Sequence, residues 1–173
     1  PLYSSAASDV YKRQPVPDAE AHAFAQRHRD YTGTFNVPGI EASLEITPMR
    51  IEEIAQNTLS AVRLAGEIYR RIRDAKGEGA FVTEVSMDEA SEPQSPEELL
   101  FVLAAMAEEE IPVQTVAPKF SGRFNKGVDY VGDVARFENE FRDDLAVIRF
   151  AVAEFGLPSN LKLSVHSGLS LIH

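Results

Sequence analysis

The segment Ala117-Pro-Lys-Phe-Ser-Gly-Arg-Phe-Asn-Lys-Gly-Val-Asp-Tyr-Val-Gly-Asp133 gathers Lys119, Arg123, Asn125 and Lys126 into one glycine-containing loop of a chain whose net charge is −10. Such a set suits an anion. Guanidinium holds a carboxylate through two parallel hydrogen bonds, ammonium adds a point charge, and the asparagine amide donates to hydroxyls. Asp129 belongs to the same loop. The other use of such a cluster is a solvated basic turn, because charged runs commonly face water. The loop follows the apolar run 111–116 and precedes a long helical pattern, which places it at a strand-to-helix junction, where α/β proteins put ligand-contacting groups.

A second constellation comes from polar residues inside runs that should be apolar. Strands of a parallel sheet are covered on both faces and read as continuous hydrophobic stretches. In Leu161–His166, however, Lys162, Ser164 and His166 share one side and Leu161, Leu163 and Val165 the other, because side chains alternate. In 80–87, Val82, Glu84 and Ser86 alternate with Phe81, Thr83 and Val85, and the run 111–116 adds Gln114. An unpaired charge on a buried strand costs several kcal/mol, so these groups must be paired, hydrated or bound to a ligand. An edge strand with a wet side is one solution. The other places Glu84, Gln114 and His166 at the carboxyl ends of neighbouring strands, where imidazole, carboxylate and amide oxygen suit a divalent cation. Asp88, just past the first strand, is a candidate for acid/base work. His22 and His28, six apart, do not share a helical face and are expected on the surface; Glu108, Glu109 and Glu110 are expected to be solvated.

The elements that must position these groups are legible from caps and periods. A short helix is expected at 19–28. Thr47 followed by Pro48 opens a longer one, to about Asp74, with Ile51, Ile54, Leu59, Val62, Ala65, Ile68, Tyr69 and Ile72 on one stripe. Ser95-Pro-Glu-Glu98 is a capping box that opens a helix carrying Leu99, Leu100, Val102, Leu103 and Met106. Asp133 caps a third pattern, in which Phe137, Phe141, Leu145, Ile148, Val152 and Phe155 recur at threes and fours up to Gly156. Helix and strand alternate three times, which predicts an α/β fold with parallel strands.

The 173 residues with 44% apolar content suffice for one packed domain of the usual 100–200 residues, roughly. The acidic balance argues against a nucleic-acid partner, and the absence of cysteine leaves no disulfide framework. With no apolar run near the roughly 18 residues of a membrane span, the expectation is a soluble, cytoplasmic protein with no membrane partner.

Four separated motifs also carry a resemblance. The basic loop, Thr83-Glu-Val-Ser-Met-Asp-Glu89, Ile111-Pro-Val-Gln-Thr115 and Leu161-Lys-Leu-Ser-Val-His-Ser-Gly168 together look like the tagaturonate epimerase family of bacterial hexuronate catabolism, from about Pro15 to Gly168. The resemblance implies interconversion of tagaturonate and fructuronate with a divalent metal cation as cofactor. It also favours a partial (β/α)8 barrel over a small open sheet. The inverted centre lies one carbon beyond the position next to the ketone, so its hydrogen is not acidified and a retro-aldol route is expected. In that scheme Glu84 and Asp88 do acid/base work and Gln114 and His166 hold the metal. Lys119, Arg123, Asn125, Lys126, Asp129 and Lys162 bind the sugar-acid substrate. A metal-dependent aldolase or isomerase, or an inactive sugar-acid-binding fragment, would use the same residues. Residues 1–14 and 169–173 resemble translated adaptor sequence, which makes 15–168 the expected domain and predicts an interrupted gene whose fragment is inactive alone.

Overall fold

The computed structural model describes residues 15–87, 90, 92–124 and 127–166. Among the described residues four α-helices and five short strands follow one another, with a 3-10 turn Arg29–Tyr31 after the first helix: α1 Asp18–Arg27, β1 Gly33–Phe35, β2 Leu44–Ile46, α2 Pro48–Lys76, β3 Glu84–Ser86, α3 Pro96–Glu108, β4 Thr115–Ala117, α4 Val134–Phe155 and β5 Lys162–Leu163. The predicted caps form. Thr47 accepts a hydrogen bond from the Arg50 amide at 3.1 Å, and Ser95 and Glu98 complete a reciprocal capping box. Asp133 accepts from the Arg136 amide at 3.1 Å, and Gly156 ends α4 in the left-handed region at φ 68°, which costs glycine little.

The helices surround α3. Leu99 to Met106 are buried without a break, so α3 has no solvent stripe and fills the middle of the core. α1 and α3 lie against α2, and α4 packs on the other side of α3. Strands β3, β4 and β5 form a parallel sheet in chain order, with Glu84 beside Thr115 and Thr115 beside Lys162. The predicted parallel neighbours are therefore present, but the paired portions are shorter than the runs 80–87, 111–116 and 161–166. Val116 is fully buried among the helices, while Glu84 and Lys162, in the alternate row, are exposed.

Several local expectations are corrected. Residues 15–43 contain, besides α1, the strand β1, which pairs antiparallel with β2; three-residue strands around Pro38 and Gly39 leave no period to read. His28 is not on the surface: only 8% exposed, it sits among Phe24, Phe101 and Phe155 with its Nε2 3.1 Å from Glu108. Burial lowers its pKa against the opposing pull of Glu108. Nor are Glu108 and Glu109 simply solvated, although Glu110 is exposed as expected. Glu108 accepts both guanidinium hydrogen bonds of Arg27, at 2.8 and 2.7 Å, and Glu109 pairs with Arg70 at 3.3 Å. Burial alone would raise the Glu108 carboxyl, but the Arg27 hydrogen bond and charge, with His28, hold it below the ordinary range. On α4, Leu145 is exposed and Asp144 takes its place in the core, because the buried face runs through Asp144, Val147, Ile148 and Ala151. Among the described residues no helix is long and apolar enough to cross a membrane.

Candidate active site

Alternation along β3 puts Glu84 and Ser86 on the face of the sheet turned away from Val85, and the register aligns Glu84, Thr115 and Lys162 in one row across it. Neighbouring strands lie about 4.8 Å apart, so Glu84 and Lys162 stand about 10 Å from one another with Thr115 between them. His166 leaves the carboxyl end of β5 and folds back over this face. Its Nε2 is 2.9 Å from Glu84 Oε1, and its Nδ1 is 3.3 Å from Ser86 Oγ. A carboxylate only accepts, so Nε2 carries hydrogen in this arrangement, and in the neutral ring the Ser86 hydroxyl donates to Nδ1. Glu84 and His166 are therefore brought together across two strands, as the alternation of polar residues implies.

Gln114 is not placed with them. It precedes β4, and its side-chain oxygen accepts from the Thr83 amide at 3.3 Å, so it ties the starts of two strands together. Its main chain does the same: Gln114 donates to Thr83 at 2.9 Å and accepts from Lys162 at 2.9 Å. Among the described residues no group of three His, Asp or Glu side chains converges as a metal cage. The donors that fit a divalent cation are the carboxylate of Glu84 and the imidazole of His166, one hard and one borderline ligand already in contact. Asp88 lies outside the described residues.

The basic loop leaves the carboxyl end of β4. The half-buried Lys119 has its amide held by Gln94 Oε1 at 2.6 Å, and the exposed Arg123 pairs through its main chain with Val131, at 2.9 and 3.2 Å. Asp129 is exposed; Asn125 and Lys126 lie outside the described residues. Under the loop, Phe120, Phe124, Tyr130, Phe137 and Phe141 form a continuous ring cluster with centroid spacings of 4.8 to 6.0 Å. Phe137 and Phe141 thus serve the loop, where the helical period assigned them to the general core. Glu140 accepts from the Ser121 amide at 2.8 Å and ties α4 to the loop's first turn.

A further feature was not read from the sequence. Glu84 and Ser86 border an apolar groove of about 340 Å³ between α2 and the outer edge of β3, floored by Val62, Tyr69, Val102 and Met106. Its signal was present in Val82 and Ile72, hydrophobic residues that remain exposed beside it.

A helix-backed parallel sheet, with acid, imidazole and ammonium on its open face and a cationic loop at its carboxyl end, defines an α/β protein. The chain belongs to the tagaturonate epimerase family, whose model matches residues 8–170. It is 28% identical over 125 residues to the tagaturonate/fructuronate epimerase of Thermotoga maritima, an overlap of 72% of this chain and 24% of that one. Its fold is similar to that of the fructuronate-tagaturonate epimerase of Cohnella laeviribosi. With one glycerol bound, that structure gives a TM-score of 0.63 at 23% identity over 93% of this chain and 32% of its own. The native form gives 0.56 at 22% identity, over 92% and 33%. The chain spans about a quarter to a third of the length of these relatives.

Proposed function

We propose that this chain is part of a divalent-metal-dependent epimerase that interconverts tagaturonate and fructuronate on a (β/α)8 barrel, of which α2 to β5 form one sector. Family membership and the relatives' names support the substrates. The observation that carries the site is the contact of Glu84 with His166 at 2.9 Å on the open face of the sheet. Glu84 takes the proton from the hydroxyl on the carbon to be inverted. The bond from that carbon to the one beside the ketone then breaks, leaving an aldehyde and an enediolate. After the aldehyde turns over, the bond re-forms on its other face and Glu84 returns the proton to the new alkoxide. Lys162, in the same row as Glu84, brings positive charge to the oxygens that become anionic. Arg123 and Lys119, at the end of the neighbouring strand, hold the substrate carboxylate and fix which face is presented. A divalent cation held by His166, with further ligands from the length of the relatives that this chain does not span, would supply Lewis-acid charge.

The test uses the sequence restored to the length of its relatives. Glu84→Gln is expected to abolish tagaturonate turnover while the substrate still binds, and chelation is expected to abolish it in the parent. In deuterated water the product is expected without deuterium at the inverted carbon, since that carbon keeps its own hydrogen throughout. Turnover that survives Glu84→Gln removes the acid/base assignment, and deuterium entering at the rate of turnover removes the bond-cleavage route.

A further inference from the structure

The loop that carries Arg123 is closed around a single phenol. Tyr130 lies with its ring against Phe124 and Phe137, at centroid distances of 4.8 and 5.6 Å. Its hydroxyl donates to the carbonyl of Ser121 at 3.1 Å and lies 3.4 Å from that of Asp133, so one oxygen joins the two ends of the loop. Two glycines make room for it. A Cβ added to Gly122 would stand 2.4 Å from the Tyr130 hydroxyl oxygen, and one added to Gly132 would stand 2.3 Å from it and 3.0 Å from the Gly122 Cα. Neither distance is open to a real side chain, so the Tyr130 ring would have to shift against Phe124 and Phe137, which flank it. Gly122 also sits at φ 83°, a conformation that side chains resist. Arg123 follows directly, and its main chain is clamped to Val131 from both sides. Among the described residues the Arg123 side chain enters no ion pair and no hydrogen bond, although the chain has ten more acidic than basic charges.

A loop with this much internal bracing presents a cation without using that cation to build itself. From this we infer that Tyr130, seated between Gly122 and Gly132, is a positioning residue that sets the Arg123 guanidinium for the carboxylate of a sugar acid. The inference rests on Arg123 as the carboxylate partner. Preorganisation matters because a free loop and a long flexible side chain would both have to be ordered on binding, and that cost would come out of the affinity. Tyr130 touches no reacting atom; it acts through Arg123.

The experiment compares the chain restored to the length of its relatives with its Tyr130→Phe, Gly132→Ala and Arg123→Ala variants. The readouts are trypsin cleavage after Arg123, in the parent, Tyr130→Phe and Gly132→Ala, and NMR titration of every variant with tagaturonate and with the neutral ketose tagatose. Losing one hydrogen bond from the clasp is expected to speed cleavage about five- to tenfold in Tyr130→Phe and to weaken tagaturonate by a similar factor. Gly132→Ala is expected to do both at least as strongly. Tagatose binding should change less than about twofold in all three variants, because only the carboxylate contact is affected; a merely structural weakening would lower both sugars together. Unchanged cleavage, or faster cleavage with tagaturonate affinity intact, overturns the role of Tyr130 and leaves the Arg123 reading standing if Arg123→Ala alone weakens tagaturonate. If Arg123→Ala has no effect, or the parent chain takes up no tagaturonate, the carboxylate reading falls and the inference falls with it.

Discussion

Asp144 should make this chain less stable as the solution becomes more alkaline, and a single amide should remove that dependence. The carboxyl is 4% exposed on the buried face of α4. Burial first, then the nearby Glu140 and Asp143, push its pKa from an ordinary 3.8 to about 8. The folded chain therefore keeps a proton that the unfolded chain has released. Between those two values stability falls as pH rises, by about 1.4 kcal/mol for each pH unit. From pH 5 to pH 7 the loss attributable to this group is about 3 kcal/mol, and at pH 7 the accumulated penalty is about 4 kcal/mol. Asn keeps the shape and cannot ionise. Asp144→Asn is thus expected to match the parent near pH 4 and to exceed it by several kcal/mol at pH 7, with the gap widening steadily between. Urea unfolding of both proteins at a series of pH values measures it, and the difference between them cancels the other carboxylates. A gap that stays constant within about 0.5 kcal/mol from pH 5 to pH 7 would refute the reasoning, since it would mean that Asp144 is ionised in the folded chain at no cost.

Glu108→Ala leaves Arg27 and the buried His28 without their shared acceptor, and the urea midpoint should fall by the equivalent of about 1–2 kcal/mol; an unchanged midpoint would show that water replaces the carboxylate fully. Ser95→Ala removes one half of the capping box of α3 and should cost about 1 kcal/mol, largely recovered in Ser95→Asp, by the same assay. Phe137→Ala opens the ring cluster under the basic loop. As the ring is only half-buried, a loss of about 2 kcal/mol is expected, below that for a fully enclosed phenylalanine, with thermal unfolding as the measure.

The helices were legible because their ends are chemically marked: Thr47 with Pro48, Ser95 with Glu98 and Asp133 each satisfy backbone amides that nothing else reaches. The meeting of Glu84 with His166 was legible too, since alternation alone puts a polar residue of each strand on the open face. Gln114 could not be resolved this way, because an amide serves a main-chain N–H as readily as a metal, and the choice depends on where Thr83 lies. Asp144 was hidden by its neighbour: the apolar period runs through Leu145, and a carboxylate one position earlier on the buried face carries no hydrophobic signal. His28 failed for a related reason, its partner Glu108 lying eighty residues further on. The strands fell short of their apolar runs because hydrophobicity marks burial, whereas pairing also needs a neighbour at the right distance.

The enclosure of α3 has a consequence for how the molecule opens. Its residues from Leu99 to Met106 are covered on every side, so their amides should exchange with solvent hydrogen only when the whole chain unfolds. The strands are two or three residues long, and the outer edges of β3 and β5 have no partner strand among the described residues. Those edges should exchange through small local openings that leave α3 untouched. Glu84 and His166 therefore stand on a part of the molecule that should open well before its centre, so that parting their contact should cost far less free energy than unfolding.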